Sequence, residues 1–321
     1  MLLLVTNKRD ITTDYVVAEI RRRGLSYFRL NTEDLPRAIF AMDAVRRDNW
    51  SFRWEGQELF GSKVRAAYFR RPGAPVLAHV GTDSGEVAYS EGEWQSLLKS
   101  LYSRLDGRWL SSPTSIFMAE DKPRQLLLAH EIGFNIPQTI VTNEYSQVMA
   151  LSKNGAAVAK PLRNALLTGS EERVMFTTRL SDVTSADAAA IAVAPIICQA
   201  EVKKRFDVRV TVVADKVFAA AIHSQDFSET EVDWRKGSRP DLRHECVSLP
   251  EDLEAKCVEL TTRLGLRYGA IDLVCDEAGV FWFLEINPNG QWAWIENMTG
   301  YPIASAIVDA LEVIADEIAC A

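Results

Sequence analysis

Cysteine is scarce and unpatterned in this 321-residue chain: five residues, at 198, 246, 257, 275 and 320, with no Cys-x-x-Cys spacing. An odd set without that spacing supports neither a zinc site nor a disulfide framework. Histidine is equally sparse, with four residues at 79, 130, 223 and 244. These and the cysteines form no nucleophilic triad, and only His223, just after an apolar strand, is expected near a cleft. No apolar run reaches the length needed to cross a bilayer. The opening Met1-Leu2-Leu3-Leu4-Val5-Thr6 is too short for a signal peptide and runs into Asn7-Lys8-Arg9, so it reads as a first core strand of a cytoplasmic protein. A basic excess is also missing. The formal charge is −8, with 17 basic and 14 acidic side chains in residues 1–115 and 19 and 30 in the remainder. Sequence-blind nucleic-acid binders carry a basic domain, so neither nucleic acid nor membrane is expected as a partner. The one dense basic run, Lys203-Lys204-Arg205, reads as a solvated loop as readily as a binding patch.

What is there suits a globular enzyme: 47% hydrophobic and 25% charged residues, in a chain long enough for two or three packed lobes. Periodicity predicts an α/β opening, with strands near 2–6 and 26–30 around an amphipathic helix at 12–23. A hairpin follows at 50–60, then a strand at 66–69 that Pro72 stops, a long helix at 86–105, and a boundary at Pro113. Beyond it a helix runs from Glu120-Asp121-Lys122 to about 131, with Gly133 as its stop. Strands are expected at 137–142 and 156–160, helices at 144–152 and 181–194, and a polar-tipped hairpin at 161–180 around Thr168-Gly169-Ser170. Strands then dominate, at 196–202, 206–214, 216–222, 267–274 and 280–286, with helices at 251–264 and 302–318.

The most informative stretch is Phe283-Leu284-Glu285-Ile286-Asn287-Pro288-Asn289-Gly290-Gln291-Trp292, taken with Gly269-Ala270-Ile271-Asp272-Leu273-Val274. Two apolar runs flank the turn Asp276-Glu277-Ala278-Gly279 and read as a hairpin. Strand alternation puts Glu285 and Asn287 on one face and brings Asp272 alongside. Such an oxygen cluster suits a hard cation such as Mg²⁺ together with nucleotide phosphates. A solvent-facing edge fits less well, because the acids sit within apolar runs and a half-buried acid without a partner is costly. Lys122 at a helix start and Lys160-Pro161 at a strand end offer point charges for phosphate oxygens.

The order Lys122, Lys160-Pro161, Gln199-Ala200-Glu201-Val202, Asp207-Val208-Arg209, Asp272, Glu285-Ile286-Asn287 resembles the ATP-grasp fold, with α+β subdomains behind an N-terminal α/β pre-ATP-grasp domain. Arg70-Arg71-Pro72, Asp207-x-Arg209, Asp233-Trp234-Arg235 and the Asn287-Pro288-Asn289-Gly290-Gln291-Trp292 tail narrow the resemblance to microviridin-type peptide maturases, the graspetide synthetases. It implies an N-terminal domain at 1–115, a central subdomain at 116–198 and a C-terminal subdomain at 199–321.

The resemblance implies an ADP-forming ligase using ATP and Mg²⁺ to close ω-ester or ω-amide bonds in a precursor peptide made of a leader and an acidic core. Lys122 and Lys160 would hold phosphates, and Glu201 and Val202 would meet adenine through their backbone. Asp272, Glu285 and Asn287 would bind Mg²⁺. Arg209, held by Asp207, would engage the peptide carboxylate, and Arg235 would stand near the transferred phosphoryl group. The leader would dock on the hairpin and helix at 161–194, around Arg173 and Asp187, and a homodimer is common in such enzymes. Two departures stand out: Ala200 replaces the usual Glu, and the Gly-rich phosphate flap is absent, Leu167-Thr168-Gly169-Ser170 being a poor substitute. A carboxylate–amine ligase adding an amino acid to a small molecule or protein tail would use the same nucleotide site. A catalytically silent peptide-binding scaffold fits less well, because both Lys and all three metal-ligand positions are present.

Overall fold

A computed structural model describes residues 1–77, 84–163, 166–167, 173–181, 183–236 and 241–320, with the backbone alone of 166–167 and 173–174. The chain opens with β1 (Leu2–Thr6), α1 (Ile11–Arg22) and β2 (Tyr27–Asn31), followed by the meander β3 (Ile39–Met42), β4 (Trp50–Trp54) and β5 (Gln57–Phe60). Then come β6 (Ala66–Phe69) and α2 (Ser84–Arg104). Strands β2, β1 and β6 form a parallel sheet with β1 in the middle. Every residue of β1 is buried, as expected of a parallel strand covered on both faces.

The next elements are α3 (Pro113–Ala119), α4 (Lys122–Ile132), β7 (Thr139–Thr142), α5 (Tyr145–Lys153) and β8 (Ala157–Lys160). The expected boundary at Pro113 is in fact a helix start: Ser112 caps α3 by accepting from the Ser115 amide, and Pro113 occupies the first turn, where its missing N–H costs nothing. Asp121 caps α4 in the same way, and Gly133 ends it at φ +92°.

The expected hairpin at 161–180 is present as the short ladder of β9 (Leu166–Leu167) on β10 (Arg173–Val174); its tip, Thr168-Gly169-Ser170, and His79 lie outside the described residues. Strand β11 (Thr178–Arg179) instead joins β8. The helix expected at 181–194 shrinks to a 3-10 turn at Ser185–Asp187 and α6 (Ala188–Ala192). A capping box between Thr184 and Asp187 sets its start. Strand β12 (Ile196–Ala200) completes the sheet β11-β8-β12-β7.

The remaining elements are β13 (Lys204–Val213), β14 (Lys216–Ile222), β15 (His244–Cys246), α7 (Glu251–Arg263), β16 (Tyr268–Asp276), β17 (Phe281–Asn287), α8 (Ala293–Thr299) and α9 (Ile303–Cys320). In the antiparallel sheet β15-β14-β13-β16-β17 the three inner strands are buried on both faces. Val208, Val210, Ile271 and Leu273 pack toward α7 and α4. Val213, Tyr268 and Ala270 pack toward α9, which also covers Leu2, Leu4 and Tyr68 of the N-terminal sheet. That double burial explains why β13 and β16 carry near-continuous apolar runs. No helix among the described residues is long and apolar enough to cross a membrane.

Candidate active site

The β16–β17 hairpin forms as its sequence predicts. Asp276 turns the chain by accepting from the Ala278 and Val280 amides, and Gly279 takes φ +82°. Asp272 pairs with Glu285, and Ala270 with Asn287, with a register shift just past Asp272. On the other side of β17 lies α4, whose buried Gln125 does the work of a neighbouring strand. Its amide nitrogen donates to the Ile286 carbonyl at 2.8 Å and its oxygen accepts from the Ile286 N–H at 3.0 Å. Ile286 lies between Glu285 and Asn287, so this double bond fixes the backbone that aims both side chains. After the strand, Asn287 accepts from the Asn289 amide at 2.9 Å. Gly290 is required there: a Cβ would lie 2.3 Å from the Ala270 Cβ and 2.9 Å from Arg209 Nη2.

These oxygens face three cations across a cleft of about 300 Å³ lined by the four-stranded and the five-stranded antiparallel sheets. Lys122 lies 3.0 Å from Glu285 and also donates to the Pro161 carbonyl. Arg235 makes a two-pronged bond to buried Asp233, 2.8 Å on each arm, and sits 3.7 Å from Glu285. Lys160 donates to Gln199 Oε1 at 2.8 Å. Burial alone would raise the Glu285 carboxyl, but Lys122, Arg235 and Lys160 outweigh it and hold it below the ordinary carboxylate value. Burial lowers the Lys160 ammonium to about 8, with Glu285 acting against the shift. Asp233 and Glu285 raise Arg235 despite its burial. The cleft is a preorganised anion receiver whose acid is kept ionised by its cations.

Lys122, Lys160, Glu201, Val202, Asp207, Arg235, Asp272, Glu285 and Asn287 all line this cleft. Arg209 is buried behind it, and its expected partner is corrected. Arg209 bonds Asp272 at 2.7 Å rather than Asp207, because the ladder sets Arg209 opposite Asp272 and Asp207 opposite Val274. Asp207 instead takes Lys204, at 2.8 Å to each oxygen, and the Ser224 hydroxyl. Lys204 is therefore no solvated loop residue. The irregularity between Lys204 and Phe206 turns it to the face of Asp207, while Lys203 does point outward, to Glu277. His223 does not itself line the cleft: it is bound to Glu245 at 2.8 Å and tilted on Phe206, next to Ser224, whose hydroxyl bonds cleft-lining Asp207. The Glu201 carboxylate is engaged by Arg179 at 2.7 Å and its amide by the Ala156 carbonyl. That leaves the Val202 amide without a backbone partner among the described residues.

Sequence reasoning missed Gln125 and Gln199. Both are buried amides, and only the neutral polar residue inside an apolar run hints at them; nothing local says that one braces β17 and the other bridges Lys160 to Thr139. Among the described residues no group of three or more His, Cys, Asp or Glu is arranged to hold a metal ion. The proposed metal donors are two carboxylates and an amide, an oxygen-only set of the kind Mg²⁺ takes with phosphate oxygens.

A RimK-like ATP-grasp domain matches residues 119–311. The macrocyclase MdnC of Microcystis aeruginosa MRC, solved with the precursor peptide MdnA, superposes with a TM-score of 0.82 at 26% identity, over 99% of this chain and 100% of that one. MdnB of the same organism, also a macrocyclase, gives 0.77 at 27% identity over 97% and 98%. A Chryseobacterium gregarium RiPP-associated ATP-grasp ligase, solved with ADP and a leader and core peptide, shares the fold at 0.87 and 24% identity, over 98% and 96%. No curated protein sequence matches. The matched domain spans more than half of the chain: this protein belongs to the RimK-like ATP-grasp family and is an ADP-forming ligase.

Proposed function

We propose that this ligase macrocyclises a ribosomally made precursor peptide, activating Asp or Glu side chains and closing them onto Ser, Thr or Lys of the same peptide. The observation that carries the reading is the cleft, in which Lys122, Lys160 and Arg235 converge on Glu285, in a chain that corresponds end to end with a peptide macrocyclase. The alternative, addition of a free amino acid to a small molecule or protein tail, is not favoured by these whole-chain matches to peptide macrocyclases.

A carboxylate does not react with a hydroxyl or amine, so it must first be given a leaving group. The γ-phosphoryl group passes from ATP to a carboxylate oxygen of the peptide, leaving ADP and an acyl phosphate. The hydroxyl or amine then attacks the carbonyl carbon, the C–O bond to phosphate breaks, and the nucleophile loses its proton. Lys122 and Lys160 hold phosphate oxygens, and the backbone at Glu201 and Val202 receives adenine. Arg235, braced by Asp233, faces the phosphoryl group in flight. Arg209 takes the substrate carboxylate, with Asp207 and Lys204 as a neighbouring ion pair. Positioning and charge stabilisation supply most of the rate in such a transfer. Asp272, Glu285 and Asn287 are the oxygens that would hold Mg²⁺, which when bound neutralises phosphate charge. We assign 1–115, 116–198 and 199–321 as the three units, and the β9–β10 ladder with α6 as the leader dock, by strand-edge or helix-face capture. Five free cysteines suit a reducing cytoplasm.

The test is co-expression with a candidate acidic precursor peptide, followed by mass spectrometry. Each bond closed removes one water, about 18 Da. Steady ATP hydrolysis with a peptide of unchanged mass would overturn the reading.

A further inference from the structure

Ring closure frees a proton from the attacking hydroxyl or amine, and among the described residues no His or Cys lines the cleft to take it. Most carboxylates of the lining are committed elsewhere. Asp233 is held on both oxygens by Arg235, while Glu201 and Glu231 are both bonded by Arg179. Asp272 and Glu285 face Arg209 and Lys122 and belong to the proposed metal set. Glu120 is exposed. Asp207 alone among the described lining acids is at once buried, free of arginine and outside that metal set.

The geometry around Asp207 suits a proton acceptor. Asp207 and Arg209 stand two apart on the regular part of β13, so their side chains leave the same face, with about 7 Å between their Cα atoms. Arg209 is the proposed holder of the peptide carboxylate, which sets Asp207 beside the carbon that is attacked. A carboxylate offers about four lone-pair sites. Lys204 takes one on each oxygen at 2.8 Å and the Ser224 hydroxyl a second on Oδ2, so Oδ1 keeps one free among the described residues. Ser224 is itself fully buried and accepts from Gln225 at 3.2 Å, which aims its hydrogen at Asp207 and fixes the carboxylate plane. Burial raises the Asp207 carboxyl above its ordinary value; Lys204 and Ser224 oppose the rise and the Asp272 charge adds to it.

We propose that Asp207 is the general base of ring closure, its Oδ1 receiving the proton of the attacking hydroxyl or amine. This role rests on the peptide reading above and gives the second half-reaction a residue of its own. As the hydroxyl oxygen bonds to the carbonyl carbon, its O–H becomes far more acidic than a carboxylic acid, so even a carboxylate paired with a lysine accepts the proton. The C–O bond to phosphate breaks, phosphate leaves with the electron pair, and the proton on Asp207 passes to that phosphate or to water. An amine sheds its proton to the same oxygen.

The experiment uses the full chain with ATP, Mg²⁺ and a candidate acidic precursor peptide, with and without hydroxylamine, and reads peptide mass. Hydroxylamine is a neutral nucleophile that intercepts an acyl phosphate without help from a base, leaving a hydroxamate about 15 Da heavier than the acid. In Asp207→Asn the rate of ring closure should fall about 10²-fold or more, while hydroxamate forms within about threefold of the wild-type rate. Asp207→Asn also leaves Lys204 buried without its anion, so a second variant, Lys204→Met with Asp207→Asn, removes the ion pair as a unit. It should melt above the single variant and still yield hydroxamate, yet close rings no faster. Ring closure recovered in the double variant would reduce Asp207 to a partner of Lys204 and overturn the proposal. Hydroxamate lost in step with ring closure in both variants, or rings closed at the wild-type rate by Asp207→Asn, would do the same. Wild-type protein giving neither hydroxamate nor loss of water is a different result: it would remove the peptide reading itself, and the role of Asp207 with it.

Discussion

The two antiparallel sheets that line the cleft are built to very different depths. Around β13 and β16 nearly every residue is buried, with one apolar cluster on each face. Around β8 and β12 the buried apolar set among the described residues is smaller: Val148, Leu151, Ala157, Val158, Ile197 and Cys198. The proposed ligands of metal and carboxylate, Asp272, Glu285, Asn287 and Arg209, all stand on the deep sheet. The shallow one contributes Lys160 and Gln199. Close packing suits groups that must hold sub-ångström geometry, and a thin core suits a lobe that opens locally at low cost to admit nucleotide and peptide.

The hardest test of that division is Glu285→Gln. The substitution keeps shape but removes the anion that Lys122, Lys160 and Arg235 share, together with a metal oxygen. ATP turnover should fall by about 10²-fold or more while circular dichroism and melting temperature stay near wild type; retained turnover would move the chemistry off the deep sheet. Next is a pair of core truncations. Phe283→Ala in the deep sheet should cost about 3–5 kcal/mol and lower the global denaturation midpoint, whereas Leu151→Ala should cost about 2 kcal/mol. Amide exchange should quicken in the second variant only across β7, β8, β12 and α5. Equal, global effects would mean that the two sheets unfold as one unit.

The smallest expected effect is on pH. Burial lowers Lys160 to about 8, so the free protein loses that cation as pH rises through about 8, well below the ordinary lysine range. The unfolded chain holds this proton to higher pH, so the burial penalty on stability is present below about 8 and fades as pH rises through it. Nucleotide affinity should move the opposite way. The ATP KM should climb above pH 8 with a limiting slope of about one log unit per pH unit. A Lys160→Arg variant should show a flat profile, and a wild-type profile that is also flat would remove Lys160 from phosphate binding.

Much of this was legible in the chain. The Asp276 to Gly279 turn and the two apolar runs around it predict the hairpin and put Asp272 beside Glu285, because the period of a strand is two and the turn sets its register. The caps of α4 were equally plain in Asp121 and Gly133. Four elements were not: β3, α3, β15 and α8. Each has seven residues or fewer, too short for a periodic pattern, and α3 hid behind a proline that also reads as a breaker.

Local patterns in the sequence determined most element types and the hairpin carrying Asp272, Glu285 and Asn287, while the order of motifs shared with ATP-grasp enzymes, rather than any local pattern, singled out Lys122 and Lys160. Tertiary structure decided the partners. Arg209 meets Asp272 rather than Asp207 because the ladder aligns residues 63 apart in the chain. Gln125 braces β17 from a helix 161 residues away, and Arg70 reaches Asn289 across 219. Periodicity acts over a few residues, through backbone geometry shared by every strand and helix. A hydrogen bond between side chains from distant elements depends on how whole sheets stack, and that is set only when the cores close.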